Sequence, residues 1–306
     1  MTIRIAIVGF GKIARDEHLR AIEGNPDFEL AAVVAREKPD GIAVPCFPTI
    51  AEMLAAMPGN VDAVAICTPP GPRFALASEV IAAGLPVLLE KPPTATLGEL
   101  DVLIQLAKDR GVAIFTAWHS QYAAGVNAAA AALKGEAVAS LHLDWREDVR
   151  VFHAGQQWIW EPGGFGVLDT GINGLSILTR ILQEPLLVKH ASLLFPANRQ
   201  APIAAEIAFH WADHRAVMDW RSGGEPCWSI TIGTQSGRKI HLTRGGAELA
   251  IDGIQQSLPP HDEYRAIYAE FADIVRSGTG KIDPLPLRTV ADCFLIAERK
   301  TGEDFV

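Results

Sequence analysis

Apolar residues in the first 120 positions follow two rhythms. Short continuous runs (IRIAIVG at 3–9, ELAAVVA at 29–35, VDAVAIC at 61–67, PVLLE at 86–90 and VAIFTAW at 112–118) read as strands buried on both faces. Between them the apolar positions recur at helical spacing and predict helices over 12–24, 49–57, 73–83 and 97–110. Strands alternating with helices imply an α/β domain: a doubly wound parallel sheet covered on both faces.

Past residue 121 the rhythm changes. A helix near 123–133 and a strand over ASLHLDW lead to a glycine-rich turn and another helix, and strands follow around 186–195, 201–211, 214–221, 226–234 and 238–243. Consecutive strands with short turns predict an α+β domain built on a large, mostly antiparallel sheet with one open face. Helices near 262–276 and 287–299 close the chain. The boundaries expected are 1–120 for the first domain and 121–306 for the second. An open sheet face suits self-association, so a homo-oligomer, in the simplest case a dimer, is expected.

Composition narrows the partners. With 306 residues, 49% of them hydrophobic, the chain can bury two cores. A net charge of -9 without a basic cluster argues against nucleic acid. Cys46, Cys67, Cys227 and Cys293 form no CxxC pair, so neither a zinc site nor a disulfide framework is indicated, and no cluster has metal-ligand spacing. No run is long enough for a membrane span, and the N-terminal apolar run reads as a strand rather than a signal peptide. A small-molecule ligand and a cytoplasmic setting are the expectation.

Two stretches carry candidate chemistry. GFGKIA sits between the first strand and first helix and sets Gly9, Gly11 and Ala14 at dinucleotide-fingerprint spacing, with Lys12 and Ile13 between them. The first glycine permits the tight turn, the second lets a pyrophosphate approach the helix N-terminus, and the third small residue lets helix and strand pack closely. The second strand then ends in Ala35 and Arg36, where an acidic residue would bind ribose hydroxyls and repel a 2′-phosphate. Arginine pairs with phosphate, so NADP is expected, with NAD also accepted, and a solvated surface arginine is the alternative. The other stretch, GGFGVLDTGINGLSILTR at 163–180, places Asp169 and Asn173 one helical turn apart after a glycine run that would allow close approach of a ligand. Asp169 equally suits a helix N-terminus as a capping carboxylate.

GFGKIA, the stretch ICTPPGPRFALASEVIAAGLPVLLEKP and the turn into the Asp169 helix together resemble the glucose-fructose oxidoreductase / inositol dehydrogenase family over nearly the whole chain. The resemblance implies a Rossmann domain with the cofactor near Thr68, Pro69, Glu90 and Lys91, and Lys91 of the EKP motif in catalysis with Asp169. It also implies that the last helix returns to the first domain. Within the family, AWHSQYAAGV, DWREDVRVFHAGQQWIWEPGGFGVLDTGIN and RGGAEL are most like the aldose 1-dehydrogenases acting on D-galactose and L-arabinose, which implies a sugar substrate. The tract from Trp145 to Trp160 supplies aromatic and planar polar groups suited to sugar faces and hydroxyls. Glu147 and His153 are therefore expected on hydroxyls, and His119 and Trp228 as pocket lining by resemblance.

One departure matters. Many family members carry a histidine four residues after the aspartate as proton acceptor, and this chain has Asn173, whose amide accepts no proton. An anomeric hydroxyl is more acidic than an ordinary secondary alcohol, so oxidation there can proceed with a weaker base. The expected activity is NAD(P)-dependent oxidation of the anomeric carbon to an aldonolactone. Oxidation of an inositol or sugar ring hydroxyl, and a non-catalytic nicotinamide-binding regulator, stay open as alternatives.

Overall fold

The computed structural model describes residues 1–210 and 213–306. The chain folds as two compact units, residues 1–119 with 263–284 and residues 120–262 with 285–306. The last residue of the strand expected over 201–211 lies outside the described residues.

In the first unit, β1 (Ile3–Val8), β2 (Phe28–Val34), β3 (Cys46–Phe47), β4 (Ala63–Ile66), β5 (Val87–Glu90) and β6 (Ile114–Ala117) form one parallel sheet in the order β3-β2-β1-β4-β5-β6. Its central strands bury residues on both faces, Ile5, Ile7, Val64, Ile66, Leu88 and Leu89 being fully enclosed, which is why they read as unbroken apolar runs. The connecting helices are α1 (Leu19–Glu23), α2 (Ile50–Ala56), α3 (Pro70–Ala82) and α4 (Leu97–Arg110). Thr96 and Glu99 start α4 with a reciprocal capping box. The helix expected over 12–24 is not uniform: it opens with a π-helical turn at Ala14–His18 before α1.

The second unit holds α5 (Val126–Leu133), β7 (Val138–Arg146), the single turn α6 (Val149–Phe152), α7 (Leu168–Ile181), β8 (Val188–Pro196), β9 (Ala204–Phe209), β10 (Asp213–Asp219), β11 (Cys227–Thr234), β12 (Lys239–Thr243), β13 (Glu248–Ile251) and β14 (Ile254–Gln255). After α8 (Glu263–Ser277) come α9 (Leu285–Ile296) and β15 (Glu298–Gly302). The sheet runs β14-β13-β12-β11-β7-β10-β9-β8-β15 and is mostly antiparallel, with β7·β10 and β8·β15 parallel. β13, β14 and β15 escape the pattern reading. The first two are short, and β15 (ERKTG) is a polar edge strand with no apolar alternation to betray it. Leu141, Leu143, Trp145, Ile230, Ile232, Ala216 and Met218 point to one buried face, while Glu206, Arg215, Thr231 and His241 are exposed on the alternate positions.

One expectation is corrected here. The helix that joins the first unit is α8 and not the last one: its stripe Tyr264, Tyr268 and Phe271 is buried, with Tyr268 edge-on to Phe28 at 5.2 Å and Phe271 stacked on Phe28 and Phe115 at 6.1 Å. The last helix, α9, packs on α7 and β8 of the second unit. The glycines before and within α7 serve packing and turn geometry. A Cβ on Gly164 would lie 2.0 Å from the Trp158 carbonyl, on Gly171 2.1 Å from Met218 Sδ, and on Gly174 2.5 Å from Leu143 and 2.8 Å from Trp145. Gly166 has φ +55° and would meet the Pro202 carbonyl at 2.2 Å. Only glycines let α7 lie this close to the sheet.

Gly166→Ala combines a left-handed backbone with a clash against main chain, and is expected to destabilise the protein by about 2 to 4 kcal/mol. The urea midpoint measures it, and a loss below about 0.5 kcal/mol would show that the turn relaxes freely.

Candidate functional site

Residues of the expected cofactor site gather at the carboxyl ends of β1, β2, β4 and β5, where open parallel sheets bind ligands. Gly9 has φ +83°, and a Cβ there would sit 2.7 Å from Thr68 Cγ2, so the turn after β1 admits glycine alone. At Gly11 the same added atom meets nothing within 4 Å, which leaves open space at the start of the helical segment where a pyrophosphate would lie. Ala14 is fully buried and Ile13 half-buried, while Lys12 is exposed and pairs with Asp16. The Thr68 hydroxyl is buried without a hydrogen-bond partner among the described residues, and Pro69 leads exposed into α3. Ala35 N–H donates to the Phe47 carbonyl at 3.0 Å, and Arg36 next to it is exposed. The cradle at Gly11 and the orphaned Thr68 hydroxyl fit a nicotinamide dinucleotide, with Arg36 placed where β2 ends.

The end of β5 is built differently. Glu90 is 3% exposed. Its Oε1 accepts from His18 Nε2 at 2.9 Å and from the Tyr264 hydroxyl at 2.6 Å, and its Oε2 accepts from the Lys91 backbone N–H at 2.9 Å. Burial by itself raises the Glu90 carboxyl, but the hydrogen bond and charge of His18, the charge of His119 and the Tyr264 hydroxyl outweigh it and hold the group at about 2. His18, fully buried, also meets the Tyr268 hydroxyl at 2.9 Å. Arg73, 2% exposed, donates to the backbone carbonyls of Thr68, Glu90 and Pro92, and so ties the turn after β4 to the turn after β5. Glu90, expected near the cofactor, has three protein donors on its carboxylate.

His119, at the end of β6, has Nδ1 2.6 Å from Glu263 Oε2 and stacks on Tyr264 at 5.8 Å. Burial lowers the imidazole, and the Glu263 carboxylate more than compensates, so its pKa is raised, with Lys91 and Glu90 close enough to act on it. His119 thus stands beside Lys91 and Glu90 in the first unit.

The second unit assembles the remaining candidates. α7 carries Asp169, 4% exposed, and half-buried Asn173 one turn later. Asp169 lies in the first turn of α7, where a carboxylate complements the helix dipole, and the N-cap residue is Val167. Thr170, next to Asp169, accepts from Trp220 Nε1 at 2.9 Å. Where β7 ends, Glu147 is 3% exposed and both its oxygens are engaged: His153 Nε2 lies 2.9 Å from Oε1, and Trp228 Nε1 donates to Oε2 at 2.8 Å. Glu147, expected on a sugar hydroxyl, is first of all the group that orients His153 and Trp228. His153 in turn tilts against Trp220 at 5.5 Å. Trp145, the first aromatic of its tract, is buried core beneath α7. Sequence reading missed His18, Arg73, Trp220, Glu263 and Tyr264. Of these only Arg73, a lone cation in the apolar helix α3, leaves a local signal.

A model of an oxidoreductase family with an NAD-binding Rossmann fold matches residues 3–118. Galactose 1-dehydrogenase of Pseudomonas fluorescens is 43% identical over 306 residues, covering 99% of this chain and 98% of that protein. The crystal structure of D-galactose-1-dehydrogenase from Rhizobium etli matches with a TM-score of 0.94 at 44% identity, covering 100% of this chain and 98% of that one. A 3-ketoreductase from Actinomadura kijaniata, solved with NADP and TDP-benzene, shares the fold at 16% identity and a TM-score of 0.84, covering 99% of this chain and 100% of that one.

The depressed Glu90 carboxyl makes a stability prediction with a definite sign. A group lowered from 4.5 to about 2 on folding stabilises the protein above the higher value, and that contribution fades as pH falls towards the lower. Wild type should exceed Glu90→Gln in urea midpoint near neutral pH, and the gap should narrow from about pH 4.5 down to about 2. A gap independent of pH across that window would mean that Glu90 is not ionised in the folded protein.

Proposed function

Because the chain belongs to the glucose-fructose oxidoreductase / inositol dehydrogenase family, we propose that it is an NAD(P)-dependent aldose 1-dehydrogenase oxidising the anomeric carbon of D-galactose and L-arabinose to the aldonolactone. The chain is an oxidoreductase that binds a nicotinamide dinucleotide, NAD or NADP. Its sugars and the carbon oxidised are the proposal. The observation that carries it is the 43% identity to galactose 1-dehydrogenase end to end, since that match spans the second unit as well as the cofactor-binding one.

Oxidation removes a hydride from the anomeric carbon and a proton from its hydroxyl, turning a cyclic hemiacetal into a lactone. Nicotinamide, when bound, accepts the hydride. In the proposed roles Lys91 and Asp169 handle the hydroxyl proton, and Asn173 hydrogen-bonds the hydroxyl through its amide. The ring oxygen withdraws electrons from the anomeric carbon, so this hydroxyl gives up its proton without the histidine that many relatives place where Asn173 stands. Trp228 spends its indole N–H on Glu147 and can offer a sugar only its ring face, which suits a C–H patch. His153, oriented by Glu147, is assigned to a ring hydroxyl, and His119 to the pocket lining. The reading extends to a cytoplasmic homodimer joined through the exposed sheet positions around Glu206, Arg215, Thr231 and His241.

L-arabinopyranose is D-galactopyranose without the hydroxymethyl group, so a pocket reading ring hydroxyls should oxidise both. D-glucose inverts one hydroxyl and leaves a buried polar group without its partner, at roughly 1 to 3 kcal/mol, about five- to hundredfold in kcat/KM. Absorbance of the reduced nicotinamide follows all three sugars. Lys91→Met and Asp169→Asn should each lower kcat by about 100- to 10,000-fold with cofactor binding retained. Equal rates on glucose and galactose would remove the hydroxyl reading, and no turnover of any aldose with cofactor bound would favour a regulator.

Cofactor choice has its own test. Arg36→Asp replaces a phosphate partner by a repelling charge and should move the NADP:NAD ratio of kcat/KM towards NAD by roughly 2 to 3 kcal/mol, about thirtyfold or more. An unchanged ratio would place Arg36 away from the 2′-phosphate.

A further inference from the structure

Glu90 is a costly residue in its position. A carboxylate withdrawn from water stabilises a fold less than an apolar side chain of similar volume would, unless its lone pairs are well satisfied. Here they are satisfied from three directions: by His18 from the π-helical turn after β1, by Tyr264 from α8, and by the backbone of Lys91 in the next position. His18 is braced by the Tyr268 hydroxyl and stands edge-on to both tyrosine rings, at 5.0 Å from Tyr264 and 5.7 Å from Tyr268. Buried Cys67 completes the titratable groups acting on His18. On the other side of the turn, Arg73 holds the carbonyls of Glu90 and Pro92. The backbone on both sides of Lys91 is therefore pinned by buried charged groups, which add to the fixed φ of Pro92 and Pro93 in the same turn.

We propose that His18 and Tyr264 are positioning residues for Lys91: they clamp Glu90 Oε1, and Oε2 of the same carboxylate fixes the Lys91 backbone, so that the lysine side chain leaves the end of β5 in a single direction. This rests on the assignment of Lys91 to proton handling above. Displacing a reacting group by about 1 Å can cost about a hundredfold in rate, so loosening the clamp should appear in turnover rather than in ligand affinity.

The experiment is a double-mutant cycle on galactose oxidation. His18→Leu should lower kcat about 10- to 100-fold, with KM for galactose and the dissociation constant of reduced cofactor changed less than about threefold. His18→Gln, whose amide can still donate to Glu90, should recover most of the loss. Tyr264→Phe, which deletes one hydroxyl and keeps the ring, should cost about three- to tenfold, and it carries the cycle if His18→Leu does not fold. In the Lys91→Met background neither substitution should lower kcat further. Independently of turnover, the resonance of 13C-dimethylated Lys91, assigned by its absence from Lys91→Met, should shift or broaden in His18→Leu and Tyr264→Phe. Losses that multiply with Lys91→Met, or variants with lowered thermal stability but native kcat and an unmoved Lys91 resonance, would overturn the proposal. Native turnover in Lys91→Met alone would instead sink the assignment of Lys91.

Discussion

A buried carboxylate is the constraint around which the first unit is organised. Glu90 ends β5 with an ionised side chain that water barely reaches, and the surrounding structure has to compensate that burial. The π-helical turn brings His18 to it, and α8, joined to the unit from more than 140 residues further along the chain, brings Tyr264 and the aromatic bracing of Tyr268. Arg73 adds a further buried cation beside His18 and spends its donors on three backbone carbonyls. What is stabilised in this way is a turn, and the turn carries Lys91.

The second unit uses the same device at smaller scale. Glu147, at the end of β7, is enclosed and divides its two oxygens between His153 and Trp228. Both rings are thereby fixed in orientation by one carboxylate. Beside them α7 is drawn close to the sheet by Gly171 and Gly174, and Trp220 binds Thr170 next to Asp169. In each unit a buried acid with little access to solvent fixes its neighbours, the Lys91 backbone in one and the His153 and Trp228 rings in the other. The helix bearing Asp169 and Asn173 gains its precision from backbone contact rather than from loop flexibility.

These arrangements bear on how the chain departs from its wider family. A histidine acting as proton acceptor needs freedom to gain and lose a charge, whereas Asn173 is neutral at any pH and can only orient. A reaction at an anomeric carbon asks less of the base, and the proposed division of labour between a lysine held by Glu90 and a carboxylate held by α7 meets that lower demand.

The periodicity of the sequence was enough for both sheets' main strands and for nearly every helix, because apolar runs and helical spacing report directly which faces are buried. The turn after β1 was equally legible, since Gly9 takes a left-handed backbone that favours glycine and Gly11 leaves open space at the start of the helical segment. Asp169 and Asn173 could be paired from their spacing alone. What spacing does not encode is the company a side chain keeps across the chain. Nothing in the glycine run before α7 announces that Gly164 lies against the Trp158 carbonyl and Gly166 against that of Pro202. The hydrogen-bond partners of Glu90 and Glu147 stand 72, 174, 6 and 81 residues away and leave no mark in the spacing. That α8 and not α9 closes the first unit was decided by an aromatic stripe whose complement, Phe28 and Phe115, is local to neither helix. Local pattern determined the elements and the turns they make; the tertiary fold alone decided which buried charges pair, because that pairing depends on desolvation, and desolvation exists only once distant segments have met.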